Sequence, residues 1–301
     1  MNTLRRLILC AAALLPAAQL ATAVELPRLQ PTDTYVVEES ELIYTRVDGL
    51  ELRARTYRPK VEGTLPAIID VHGGVWSSGD RSQGQVYDRG LASSGLFVFA
   101  IDFRQAPAHQ HPAASRDIAT AVRYLRSQAG ALRIDPDSIG LVGSSSGGHL
   151  AMLAGLTPNS AEFGGEGASD ASVRYVIALW PVSDPAYRYD YAKRVGRAEL
   201  LRSHEAYFGT RETMLRASVP RLLRASEQTH LPPLLVVQPG RDANIPIEMT
   251  LELLKAYQDA GGRLTYLFYP DQPHAFGHRA SAQTSDLIAA MRDFVARSGG
   301  K

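Results

Sequence analysis

Cysteine occurs once in the 301 residues, at position 10 inside an apolar leader. Beyond that position disulfides, thiol nucleophiles and cysteine-ligated metals are excluded together. Net charge is nearly absent as well: 32 basic residues stand against 31 acidic ones, a formal charge of +1. That balance offers no electrostatic footprint for nucleic acid or an anionic membrane surface. Long hydrophobic runs are missing too. The longest, residues 7–20, falls short of the roughly 20 residues a spanning helix needs. No internal repeat or low-complexity tract is present. The partner these absences leave is a small molecule of low charge.

The chain opens Met-Asn-Thr-Leu-Arg-Arg, runs through the apolar stretch and reaches Ala21-Thr22-Ala23. This is the order of a secretory signal: basic end, apolar middle, small-residue cleavage site. Residues 1–23 are therefore expected to be a signal peptide and the product to be periplasmic or extracellular, with no stable membrane anchor after cleavage. An uncleaved anchor is the alternative. Leu9 stands before Cys10, where a lipoprotein signal needs a small residue. Residues 24–301 are expected to form one domain. Such a length can bury about three quarters of its unfolded surface in a single core, and 45% hydrophobic content is ordinary for one.

From residue 67 onward short β-branched runs alternate with longer segments of helical period, which demands crossover helices and a largely parallel sheet. Strands are predicted over 67–71, 96–101, 138–142, 175–179, 234–238 and 264–268. Helices are predicted over 113–128, 146–156, 246–260 and 283–296, where apolar residues recur at three- and four-residue spacing. Upstream, 41–47 and 50–57 flank Asp48-Gly49, a hairpin dipeptide. The fold class is thus α/β, with about eight strands, helices on both faces and a helical insertion, residues 184–230, after the sixth strand. Connections that long are cap or lid segments, or plain decoration. Residues 31–40 read as an extended leader to the hairpin.

Gly143-Ser144-Ser145-Ser146-Gly147 joins the strand at 138–142 to the helix that follows. Strand, Gly-x-Ser-x-Gly and helix describe a nucleophile elbow, with Ser145 exposed at its strained tip. Ser144 and Ser146 are read as bystander hydroxyls. A serine hydroxyl needs an imidazole to take its proton and a carboxylate to orient that imidazole, in chain order Ser, acid, His. Asp242 and His274 each lie just beyond a late strand, where sites gather in parallel sheets. Asp271 is the rival acid and His278 the rival base, while His149 and His72 read as structural. Backbone amides must also meet the developing oxyanion. His72-Gly73-Gly74-Val75-Trp76 follows the 67–71 strand and offers Gly73, Gly74 and Val75, with Ser146 as the second donor.

These motifs resemble the α/β-hydrolase fold, and within it the esterases and lipases related to hormone-sensitive lipase, most closely the feruloyl- and acetyl-esterase-like branch. The resemblance runs from about Leu50 to Val295. It also includes Asp102-Phe103-Arg104-Gln105-Ala106-Pro107, where relatives carry Asp-Tyr-Arg-x-Ala-Pro, and Asp135-Pro136-Asp137-Ser138-Ile139. It implies a serine carboxylic-ester hydrolase working through an acyl-enzyme on a small-molecule ester, without metal or organic cofactor. An amidase, formamidase or exopeptidase using the same triad is the alternative, and an inactive binding protein on the fold a third reading. Trp76, Tyr187 and Tyr207 are expected to wall the substrate, the two tyrosines from within the insertion.

Overall fold

The computed structural model describes residues 29–165 and 168–299. The expected signal peptide, residues 1–23, lies outside the described residues. Eight strands form one sheet in the order β1-β2-β4-β3-β5-β6-β7-β8. β1 (Val37–Val47) and β2 (Leu50–Pro59) make the hairpin. Its turn places Asp48 at φ 51° and Gly49 at φ 76°, the double positive φ of a two-residue type I′ turn. β1 begins inside the segment read as an extended leader. β2 pairs antiparallel with β4 (Phe97–Ile101). From β4 onward every neighbour is parallel: β3 (Leu65–Val71), β5 (Ile134–Ser144), β6 (Val176–Leu179), β7 (Leu234–Arg241) and β8 (Leu264–Pro273).

All seven residues of β3 are buried, so its apolar run serves both faces of the sheet. Ala67, Ile69 and Val71 enter one core and Ile68 the other. β7 repeats the division, with Leu234 and Val236 on one side and Leu235 and Val237 on the other. Two helices cover the second core: α1 (Gln85–Ser93) through Tyr87 and Leu91, and α10 (Ala282–Gly299) through Leu287, Ile288 and Met291. The first is covered by α2 (Ala113–Ser127), α4 (Ser146–Leu156) and α9 (Ile247–Asp259). Ile118, Ala121, Val122 and Leu125 of α2 are buried as their spacing predicts. A single turn, α3 (Ala129–Leu132), leads into β5.

Between β6 and β7 lie α5 (Pro185–Arg194), α6 (Ala198–Phe208), α7 (Arg211–Arg216) and α8 (Val219–Arg224). Asp184 starts this run: its side chain accepts the Tyr187 N–H at 2.9 Å and Pro185 occupies the first turn. Its other carboxylate oxygen accepts the Ser218 hydroxyl at 2.8 Å, tying the first insertion helix to the last.

Candidate active site

The carboxyl ends of β3, β5, β7 and β8 deliver the candidate residues to one place, as strand ends do in parallel sheets. Ser145 sits between β5 and α4 at φ 54°, ψ −116°, a conformation an L-residue holds only under constraint. The constraint is visible. Its N–H donates to the Leu179 carbonyl at 2.9 Å, and its own carbonyl accepts from Val182 N–H at 3.1 Å. The flanking glycines permit the tight turn: a Cβ on Gly147 would stand 2.0 Å from the Val71 carbonyl oxygen, and one on Gly143 2.3 Å from that of Gly147.

The Ser145 hydroxyl lies 3.1 Å from His274 Nε2. On the far side of the ring, Nδ1 is 2.7 Å from Asp242 Oδ2. Asp242 Oδ1 accepts the backbone N–H groups of Asn244 and Ile245, at 2.7 and 2.9 Å. The Asp242 side chain is thus almost wholly buried and saturated with donors. With a carboxylate at Nδ1, that nitrogen carries the proton and Nε2 faces the serine as acceptor. Asp271 is elsewhere: it is exposed and pairs with exposed Arg241 at 3.0 Å.

His278 lines the same cavity, but its Nε2 has no hydrogen-bond partner among the described residues, and burial lowers its pKa to about 4. His149 is structural. Its Nδ1 accepts from Trp76 Nε1 at 3.3 Å, its Nε2 donates to Ala217 carbonyl at 2.8 Å, and burial lowers its pKa to about 3. His72 lies under the glycine turn with Nδ1 2.7 Å from Gly73 carbonyl oxygen. Phe103 of the Asp-Phe-Arg motif stacks on the His72 ring at 4.2 Å, which gives that motif a supporting place below the turn.

The turn after β3 corrects one expectation. The Gly73 N–H is already held by the Gln83 side-chain oxygen at 2.6 Å, so it does not face the cavity as a free donor. Gly74 and Val75 line the cavity beside Ser145 at φ 107° and 49°. Ser146 opens α4, where the first N–H groups have no intrahelical acceptor. The Ser146 hydroxyl is no bystander either. It accepts the Trp76 N–H at 3.2 Å and so ties the elbow to the glycine turn.

The aromatic residues expected to wall the substrate lie elsewhere. Trp76 and Tyr207 are fully buried and stack on each other, centroids 5.6 Å apart with planes within 5°, because the insertion packs α6 against the glycine turn. Tyr187 lines a separate surface cleft with Pro220 and Glu252. The insertion reaches the site through Arg188 and Leu200 instead. Gln83 and Asn244 are further wall residues that the motifs do not announce. Arg188 has a faint signature: with Pro185 and Ala192 it occupies the buried stripe of α5. The cavity they enclose has a volume of about 250 Å³. Among the described residues, no cluster of three or more His, Cys, Asp or Glu side chains could hold a metal ion, and no helix is long and apolar enough to cross a membrane.

A parallel sheet with an antiparallel leading hairpin, a strained serine at a strand-to-helix turn and a histidine beyond the last strand define the α/β-hydrolase fold. Residues 56–257 match the BD-FAE family, and the chain belongs to it. Two relatives from Mycobacterium tuberculosis are similar to it. Esterase LipC is 30% identical over 76% of this chain and 58% of its own length, and the probable carboxylic ester hydrolase LipM is 27% identical over 84% and 59%. The chain thus spans about three fifths of the length of these curated relatives. Among solved structures, esterase B from Lactobacillus rhamnosis, in an inhibited form, superposes with a TM-score of 0.74 at 24% identity, covering 92% of this chain and 90% of that one. That likeness is one of fold.

Proposed function

We propose that the protein is an exported serine hydrolase that cleaves carboxylic esters with small acyl or aryl groups. The observation that carries this reading is the unbroken relay from Asp242 through His274 to Ser145, with links of 2.7 and 3.1 Å. In this reading Ser145 Oγ attacks the ester carbonyl while His274 Nε2 takes its proton. The C–O bond breaks, the imidazolium passes the proton to the leaving alkoxide, and an acyl group remains on Ser145. Water then repeats the sequence on the acyl-enzyme and frees the carboxylic acid. Asp242 holds the ring in the needed tautomer and offsets its transient charge. The N–H groups of Gly74, Val75 and Ser146 meet the oxyanion without reorganisation.

The names of LipC and LipM support ester chemistry, and the small cavity favours short acyl groups over long chains. Helices α5–α8 act as a cap over the pocket in this account, through Arg188 and Leu200. Export rests on the pattern of residues 1–23 and is checked by mass analysis of the mature N-terminus, expected at Val24. The activity is tested with a panel of acetyl, butyryl, palmitoyl and feruloyl esters and matched anilides. Acetyl and butyryl esters are expected to exceed palmitoyl esters and all anilides by about 100-fold or more in kcat/KM, since an amine leaves less readily than an alkoxide. Anilides turned over as fast as their esters would make the protein an amidase.

A further inference from the structure

Arg188 is an anomaly in this pocket. It is 1% exposed, it contributes to the cavity wall, and its Nε and Nη1 have no hydrogen-bond partner among the described residues. It forms no ion pair with any described residue; its guanidinium carbon lies 6.0 Å from the centroid of the Trp76 ring, and its backbone N–H donates to the Asp184 carbonyl. Buried arginines are ordinarily paired, because an unpaired buried cation forgoes its hydration without return. The other cavity-lining residues include no aspartate or glutamate. Asp242, the acidic group that acts on Arg188 at longer range, is committed to His274 and two backbone amides. A second cation, Arg197, stands nearby but is already compensated: Glu199 pairs with it and Asn244 Oδ1 accepts from it at 3.1 Å, so Arg188 alone is left without an anion.

We infer that Arg188 is a substrate-binding residue that receives a carboxylate carried by the ester itself, on the acyl or the alcohol side. The planar fork of a guanidinium donates two parallel hydrogen bonds to a carboxylate, which a lysine in its place could not reproduce. A carboxylate in the pocket would supply the charge that Arg188 lacks and accept from Nη2 together with Nε or Nη1, the two pairs whose N–H groups run parallel. The substrates would then be half-esters or esters of carboxylated alcohols or phenols rather than wholly neutral lipids. This extends the ester-hydrolase reading and depends on it for the reacting bond, but not for the anion site.

Two substrate pairs and one binding measurement test it. 4-Nitrophenyl hydrogen glutarate is compared with 4-nitrophenyl 5-methylhexanoate, its neutral isostere, and 4-acetoxybenzoate with 4-methylphenyl acetate. Binding of glutarate and of benzoate to the full-length protein is followed by calorimetry. The wild-type protein should prefer the charged member of at least one pair by about 10-fold or more in kcat/KM and bind the matching free carboxylate. In Arg188→Met the preference should fall toward unity and the binding disappear, and Arg188→Lys should recover only part of either. Wild-type protein with neither preference nor binding overturns the inference, whether or not the variants fold, as does a folded Arg188→Met that keeps both. Hydrolysis of neutral esters alone would leave the ester reading standing and the anion site refuted. Arg188-dependent carboxylate binding without hydrolysis of any ester would do the reverse.

Discussion

Asp242 Oδ2 lies 2.7 Å from His274 Nδ1, while Asp242 Oδ1 is held by two backbone N–H groups. This two-ended grip makes the Asp242→Asn variant informative. The amide oxygen must stay with the backbone donors, so the NH₂ group turns toward His274 and forces Nδ1 to accept. Nε2 then carries the proton and faces Ser145 as a donor, the wrong tautomer for a base. In this variant kcat should fall by about 10⁴-fold with little loss of thermal stability. A loss below tenfold would show that Asp242 does not orient the ring.

Gly74 tests the donors on the opposite side of the serine. Its φ is 107°, and a Cβ there would stand 1.9 Å from the Ser78 carbonyl oxygen, so the backbone must shift in Gly74→Ala. That shift moves the Gly74 and Val75 amides. Steady-state kinetics on a short-chain ester should show kcat reduced by about 10²-fold or more, the scale of losing one oxyanion donor. An unchanged kcat would remove this turn from the chemistry.

Trp76 separates a core role from a substrate wall. Its ring is fully buried against Tyr207, Phe208 and His204. Trp76→Ala should cost about 3–5 kcal/mol in denaturant unfolding. A variant of unchanged stability with an altered acyl-chain profile would return Trp76 to the substrate.

Asp70 gives a pH signature independent of catalysis. Burial pushes its carboxyl up to about 7, against the Tyr87 hydroxyl that lowers it, and burial together with Asp70 raises the neighbouring Asp88 as well. A carboxyl raised above its unfolded value of 3.8 contributes stability that is complete below about pH 4 and lost as pH climbs through 7. Buried His149, His204 and His278 act in the opposite sense, since their lowered values remove stability as the solution is acidified. The difference between Asp70→Asn and the wild-type protein isolates the carboxyl. Relative Tm of the variant should rise from pH 4 to 7 and level off above; a difference independent of pH would contradict this.

The legible part of the molecule was the part written in local pattern. β3, the latter part of β5 and the first six residues of β7 are buried on both faces, and Gly74, Ser145 and Asp242 follow them within a few residues. The hairpin turn at Asp48-Gly49 was legible for the same reason. α1 was not, because it is only nine residues long and Gly90 interrupts it. That glycine is needed where Ile288 of α10 packs close: a Cβ there would lie 2.8 Å from it. Residues whose role depends on distant partners were also hidden. Gln83 holds Gly73 across a loop, Ser146 holds Trp76 across 70 positions, and Trp76 and Tyr207 stack on each other instead of facing the pocket. Arg188 belongs to the same class, a charge on a helix stripe that reads as core.

Every step of the proposed chemistry passes through Ser145. Hydrolysis of 4-nitrophenyl acetate should fall by about four to six orders of magnitude in Ser145→Ala, and covalent labelling by a fluorophosphonate should vanish with it. Near-wild-type turnover, or labelling that persists in the variant, would contradict the assignment of Ser145 as the nucleophile.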